Sequence, residues 1–332
     1  MKKHVIIGAG ISGISLAYHL KNLNKKDEII IIDKDYSQGT SYNSNNLYFV
    51  ENEKNKKFSL SIGKLSPIFL IHLLCIQIIF FFYIRNVNEY FSKFNFFPLP
   101  KKKCNNIQYY NLQKYRDFVD STEIMKDEYL FFNEQKNNKI YVKCKTKDYI
   151  CDYLYDCTAS CLNKHFLINV STDSIYVKVN KMNIKCLIRE DIYWIMPLNK
   201  DTIKISMHLY INFTGKKKVI DINKISQILL HKYDMKIIKI VDTWYGSRTC
   251  SYDLLPFYYE KEKNIFVITG GSFLGFNTLP AISREIAYKV NNKKLKKYRY
   301  DLSINRIYKE LFVLYTIITL FILFFIHKYY KK

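Results

Sequence analysis

Hydrophobic and polar positions divide the chain into stretches of period 3.6 and stretches of period 2. His4-Val5-Ile6-Ile7 is a short apolar run that ends in the turn Gly8-Ala9-Gly10-Ile11-Ser12-Gly13. Ile11, Ile14, Leu16, Ala17 and Leu20 then recur along one helical face. Glu28 to Ile32 is a second apolar run, closed by Asp33. The pattern predicts strand, turn, helix, strand. A polar loop follows from Lys34 through Thr40 and Ser41 to Asn46; it can line a ligand or simply be solvated. Leu65 to Ile84 is strongly apolar and long enough to cross a bilayer. A crossing there would separate two related glycine segments, so a buried or membrane-facing helix is expected. Phe91 to Tyr129 carries no clear period. Lys139–Cys144, Ile150–Cys157, Ser174–Val179, Lys185–Ile188, Ile192–Met196 and Thr202–Leu209 read as strands. Their succession without long helices predicts an antiparallel sheet inserted into a first, α/β domain. Ile222–Tyr233 is an amphipathic helix candidate. Asn264 to Thr269 is a strand candidate, followed by a glycine-bearing turn and a helix from about Ile282.

Glycine usage sharpens this picture. The chain has only 10 glycines. Gly8, Gly10 and Gly13 sit at the start, and Gly246, Gly270, Gly271 and Gly275 sit together near the other end. Glycine is needed where backbone takes positive φ or touches a ligand, so the two segments are candidates for one shared site. In the first, Gly8 permits the tight turn, Gly10 lets a pyrophosphate approach the backbone, and Gly13 lets the helix pack on the sheet. The helix N-terminus offers free N–H groups to phosphates. Asp33, at the end of the second strand, is placed to accept hydrogen bonds from a ribose. With both strands and the acid in place, this is the dinucleotide-binding fingerprint in its required context; an ordinary α/β turn is the alternative.

Composition narrows the function classes. There are 52 basic and 29 acidic residues, a net charge of +23. The lysines are scattered in a sequence rich in Lys, Asn, Ile and Tyr, which argues against nucleic-acid binding. None of the eight cysteines forms a CxxC pair. Cys157, Cys161 and His165 are evenly spaced but lack a fourth ligand, so no metal site is expected. No signal peptide precedes His4, and the cysteines read as reduced thiols.

With these motifs in hand, the chain resembles the D-amino-acid oxidase and glycine oxidase family of FAD-dependent amine oxidoreductases. Four pieces match in order: the N-terminal fingerprint with Asp33; the strand to Cys157-Thr158-Ala159-Ser160; Tyr193-Trp194-Ile195-Met196-Pro197 before an alternating strand; and Trp244-Tyr245-Gly246-Ser247-Arg248, then Asp253, Pro256 and the Gly270–Ala281 turn. The resemblance spans roughly residues 4 to 290. It implies FAD in a discontinuous Rossmann-like domain (1–50, 138–172 and 244–295), with a mainly antiparallel substrate domain (51–137 and 173–243). It implies hydride transfer from a small amine or amino acid to flavin N5. Gly8, Gly10, Ile11, Ser12, Gly13, Asp33 and Lys34 would hold the cofactor from the first segment, with Thr40, Ser41, Thr158 and Ala159 beside them. Gly246, Gly271, Ser272, Phe273, Leu274, Gly275 and Phe276 would complete that site. Arg248 aligns with the family's carboxylate-binding arginine, a structural ion pair with Asp253 being the alternative. Tyr193 or Trp194 would cover the substrate; because neighbours on a strand face opposite ways, only one is expected to do so, and core packing is the alternative for both. Two departures stand out: Ala159 replaces a glycine, and Gly271 stands where relatives often have His.

The C-terminal segment has its own pattern. Lys289, Lys293, Lys294, Lys296, Lys297, Arg299 and Arg306 are dense in charge, while Leu311 to Ile326 carries none. This predicts a basic linker over 296–310 and a single transmembrane anchor over 311–327, with the main domain facing the cytosol. The basic stretch can also meet anionic lipid headgroups. Two other readings remain open: a flavin-binding, membrane-attached scaffold without amine oxidation, and an NAD-dependent dehydrogenase. The second leaves the C-terminal glycine segment unexplained.

Overall fold

The structure is a computed structural model. It describes residues 1–44, 47–50, 107–135, 139–159, 167–207, 210–211, 219–251, 255–271, 275–296 and 298–306, together with 86–87, 89–91, 93–94, 96–99, 101–104, 316 and 319.

The first apolar runs form the middle of a six-stranded sheet. Its order is Ile124–Lys126, Glu28–Asp33, Lys3–Ile7, Tyr153–Asp156, Ile265–Thr269 and Phe257–Glu262; only the last is antiparallel to its neighbour. The chain runs from Lys3–Ile7 outward to one edge, then returns to pair Tyr153–Asp156 on the other side. That reversal leaves a crevice beyond the carboxyl end of Lys3–Ile7, where Gly8 begins its turn. Side chains alternate along the strands and split into two cores. Ile6, Ile31, Tyr155, Phe266 and Ile268 cluster with the helices Ile11–Leu23 and Gly275–Val290. Val5, Ile7, Ile32, Leu154 and Ile265 cluster with a three-stranded antiparallel sheet of Tyr129–Gln135, Lys139–Cys144 and Tyr149–Cys151. Both faces are thus covered, as a parallel sheet requires.

A second large sheet is antiparallel, in the order Ile188–Glu190, Tyr193–Pro197, Thr202–Met207, Leu167–Val179 and Tyr210–Ile211. The 15-residue strand Ile237–Ser251 also pairs along Leu167–Val179. Ile175, Val177, Ile195 and Ile205 on one face pack with Ile225 and Leu229 of the helix Ile222–Tyr233. The opposite face carries Ser174, Tyr176, Lys204, Ser206 and Trp244, all buried. A small sheet of Leu47–Val50, Ile107–Tyr110 and Lys101–Cys104 precedes the helix Leu112–Asp120. That helix is capped by Asn111, whose side chain accepts the Lys114 N–H.

Several sequence expectations change. Ile124–Lys126 lies within the stretch assigned to the substrate domain, yet it forms an edge of the parallel sheet. Ile150–Cys157 is not one strand. It is Tyr149–Cys151 in the small sheet and Tyr153–Asp156 in the parallel sheet, broken at Asp152, whose carboxylate accepts the Lys3 N–H at 2.9 Å. Of Lys185–Ile188, only Ile188 is in a strand. The closing helix begins at Gly275, seven residues before the expected Ile282, and carries Pro280 within it. Cys186 is disulfide-bonded, contrary to a fully reduced set, whereas Cys144, Cys151, Cys157 and Cys250 are buried thiols outside any disulfide. Leu65–Ile84 lies outside the described residues, as does 311–327 apart from Thr316 and Thr319. Among the described residues no helix is long and apolar enough to cross a membrane.

Candidate functional site

The crevice at the carboxyl ends of the parallel strands opens into a cavity of about 600 Å³, within the range of small-molecule and cofactor pockets. Gly8, Gly10, Ile11 and Ser12 line it from the first turn, and Gly271, Gly275 and Phe276 from the second glycine segment. The two segments, more than 250 residues apart in sequence, therefore share one wall.

Two glycines build that wall by close approach. Gly8 has φ +98°, and a Cβ there would lie 2.9 Å from the Cys157 carbonyl. A Cβ on Gly13 would lie 2.0 Å from the Gly8 oxygen, so helix and turn touch backbone to backbone. The helix starts at Gly10 with no side-chain cap. Its Ile11 N–H donates to Ser41 Oγ at 3.0 Å, and Ser41 lines the cavity. A helix N-terminus with a glycine at its mouth is an anion cradle.

Carboxylates face the same space. Asp33 Oδ2 accepts the Ala9 N–H at 2.7 Å and Oδ1 accepts the Asp35 N–H at 2.9 Å. Burial nevertheless raises its pKa above the ordinary value. Asp156 Oδ1 accepts the Thr158 N–H at 3.0 Å and the Thr158 hydroxyl at 2.7 Å, and burial raises its pKa too. The Thr146 hydroxyl donates to Asp127 and holds its pKa down. Glu128 pairs with Lys34 at 2.8 Å. Cradle and acceptors together suit a ligand that is anionic in one part and rich in hydroxyls in another.

Of the residues singled out from sequence, Gly8, Gly10, Ile11, Ser12, Asp33, Lys34, Thr40, Ser41, Thr158, Ala159, Gly271, Gly275 and Phe276 line the cavity. Gly13 and Gly246 do not. Gly13 packs on the first turn, and Gly246 lies under the Trp244 indole, where a Cβ would come within 1.9 Å of the ring. Ser272, Phe273 and Leu274 lie outside the described residues. The Arg248 backbone sits opposite Val170 in the antiparallel sheet. Neither Tyr193 nor Trp194 is among the described residues that line the cavity. Strand alternation sends Tyr193 into the apolar core beneath the helix Ile222–Tyr233. Trp194 packs beside Leu112, Leu187 and Met196, with the Arg189 guanidinium 5.6 Å from its ring.

Gly39 and Ser44, in the polar loop able to line a ligand, also reach the cavity wall, whereas the sequence reading missed Asp127, Glu128, Tyr129, Asp156, Ser247 and Thr249 there. Asp156 had a signal, its place at the end of a strand in line with the first. Asp127 to Tyr129 had none, because the strand before them is only three residues long.

No protein-family model and no curated protein matches the sequence. Solved structures do match. The structure superposes on glycine oxidase from Geobacillus kaustophilus with a TM-score of 0.59 at 11% identity, over 91% of this chain and 99% of that one. The chain has the glycine oxidase fold. Iminodiacetate oxidase from Chelativorans sp. BNC1 gives a TM-score of 0.58 at 12% identity, over 90% of this chain and 99% of that one. L-amino acid deaminase from Proteus vulgaris, with its specific insertion deleted, gives 0.59 at 11% identity, over 92% and 94%. With such coverage, the glycine oxidase fold extends over nearly the whole architecture, well beyond a nucleotide-binding motif.

Proposed function

We propose that this protein is an FAD-dependent oxidoreductase that oxidises a small amine or amino acid. The observation that carries the reading is the meeting of both glycine segments at one cavity, within a fold shared with glycine oxidase. The residues present suit a flavin dinucleotide. The helix start at Gly10 and the Ser41 hydroxyl would hold the pyrophosphate, and Asp33 would accept from a ribose. Thr158, Ala159, Gly271, Gly275 and Phe276 would line the remainder. Bound there, a flavin would supply two-electron chemistry at the substrate carbon that bears nitrogen. The chain's own part is to bind, to orient and to keep water out. Arg248 is assigned the substrate carboxylate, since a guanidinium meets it with two parallel hydrogen bonds. Neither Tyr193 nor Trp194 lines the cavity, and neither is given a part in holding the cofactor.

The test is an absorbance spectrum of the purified full chain, followed by anaerobic addition of glycine, D-amino acids, L-amino acids and N-methyl amines. The expected result is the two-banded spectrum of oxidised flavin, bleached by one of these classes. A flavin spectrum that no amine bleaches refutes amine oxidation and favours the scaffold reading. Folded protein that takes up no flavin refutes the cofactor assignment. Attachment to a membrane through 311–327 is a separate part of the proposal, supported by the uncharged run Leu311–Ile326 and the lysines on both sides. Release of the protein from membranes by alkaline carbonate refutes it.

A further inference from the structure

Asn43 lies outside the cavity wall, yet it gathers contacts from three other parts of the fold. It ends the short helix Thr40–Asn43 and is buried, 7% exposed. Its side-chain nitrogen donates to the carbonyls of Ser37 at 2.6 Å and Gly39 at 3.2 Å. Its side-chain oxygen accepts from Arg116 Nη2 at 3.1 Å and from the Tyr176 hydroxyl at 3.3 Å. An amide has two donors and two acceptor sites, and all four are used. The orientation is fixed by chemistry, since a guanidinium only donates and a carbonyl only accepts. The Asn43 backbone carbonyl accepts from the buried Lys204 ammonium. Tyr176 and Lys204 are direct partners across adjacent strands of the antiparallel sheet, and Arg116 belongs to the helix Leu112–Asp120.

The loop so held carries the cofactor-side groups. Gly39, Thr40, Ser41 and Ser44 line the cavity on either side of Asn43. Ser41 Oγ takes the Ile11 N–H at the anion cradle, and the Thr40 hydroxyl donates to the Ser247 carbonyl at 3.1 Å. The loop is tied again at its start, where Trp244 Nε1 donates to the Gln38 carbonyl at 3.3 Å. Displacing Asn43 moves the Ser41 hydroxyl relative to the helix start, and a shift of about 1 Å is enough to lose an aligned contact.

We infer that Asn43 is a positioning residue for the cofactor site: through it, Tyr176 and Lys204 of the antiparallel sheet and Arg116 set the place of the Ser41 hydroxyl at the helix N-terminus. The inference rests on the cofactor reading above and deepens it, because it makes dinucleotide affinity depend on contacts with the second sheet.

The experiment titrates FAD into the flavin-stripped full chain and into Asn43→Ala, Tyr176→Phe and Lys204→Met, following flavin fluorescence and visible circular dichroism. Apo-protein melting is recorded for each. The expected result is FAD affinity about 10- to 100-fold weaker in Asn43→Ala, the size seen when a supporting partner behind a direct ligand is removed. The two sheet-side variants should each weaken it by several fold. At saturation, the circular dichroism of bound flavin should change shape, which a loss of stability alone does not produce. If Asn43→Ala fails to fold, the sheet-side variants decide the matter. Variants that bind within twofold of the wild type, with unchanged dichroism, overturn the inference and leave the cofactor reading standing. A wild-type chain that binds no FAD overturns both.

Discussion

Gly10 and Gly13 lie three residues apart in one helix turn, yet alanine should affect stability at only one of them to any large degree. At Gly13, a Cβ would sit 2.0 Å from the Gly8 oxygen and 3.2 Å from Ile6 Cγ2. The first contact is with backbone, so no side chain can swing away. Helix and turn must separate by about 1 Å or more, an overpacking cost of about 1–3 kcal/mol. Against this, alanine inside a helix gains about 1 kcal/mol over glycine. The clash outweighs the gain, and the displaced turn is the one that carries Gly8 and Ala9 to the cavity. At Gly10 the backbone has φ −70°, open to any residue, and a Cβ would meet only Ser41 Oγ at 3.3 Å. Gly10→Ala should therefore cost no more than about 0.5–1 kcal/mol, the difference between glycine and alanine at a helix N-cap. It places a methyl group where a pyrophosphate would approach the backbone. Urea unfolding of the apo-protein and FAD titration of the folded protein separate the two effects. Gly13→Ala should lose stability and affinity together, whereas Gly10→Ala should keep most of its stability and lose at least tenfold in affinity. A Gly13→Ala protein as stable as the wild type would refute the packing argument. A Gly10→Ala protein with unchanged affinity would refute the cradle.

The remaining predictions concern pH and the two aromatic residues withdrawn from the site. Burial, then the Arg284 charge, lowers the His19 pKa from 6.5 to about 4. A depressed histidine contributes stability that is complete above its unfolded value and is lost as pH falls through the interval to the folded value. His19 should therefore cost about 3 kcal/mol between pH 6.5 and 4, at about 1.4 kcal/mol per unit. His19→Gln should flatten the urea-midpoint profile in that window, and an unchanged profile would show that His19 is not held neutral. Tyr193→Phe and Trp194→Phe should bind FAD within twofold of the wild type in the same titration, because neither side chain reaches the cavity. A tenfold loss in either would place that side chain at the cofactor.

How much of this was legible depends on how local each signal is. The strand, turn, helix and strand from Lys3 to Asp33 are contiguous, and each carries its own period or glycine, so all were readable. The helix Ile222–Tyr233 was readable for the same reason. Ile150–Cys157 misled because its break at Asp152 is made by a distant strand, through the Lys3 N–H. Nothing within the segment records that contact. Tyr193 and Trp194 misled because alternation says only that two neighbours face opposite ways. Which face receives the helix Ile222–Tyr233 and which meets the loop around Asn43 is decided by tertiary packing. The scarcity of glycine located both halves of the cavity, yet it could not separate two reasons for keeping a glycine. Gly10, Gly271 and Gly275 border open space, where a Cβ would meet at most one side chain. Gly13 and Gly246 lie against backbone and indole, where a Cβ has no room at all. Both groups look alike in sequence because both exclude a side chain. Only the distance from the missing Cβ to its nearest neighbour tells a residue that makes room for a ligand from one that makes room for the protein itself.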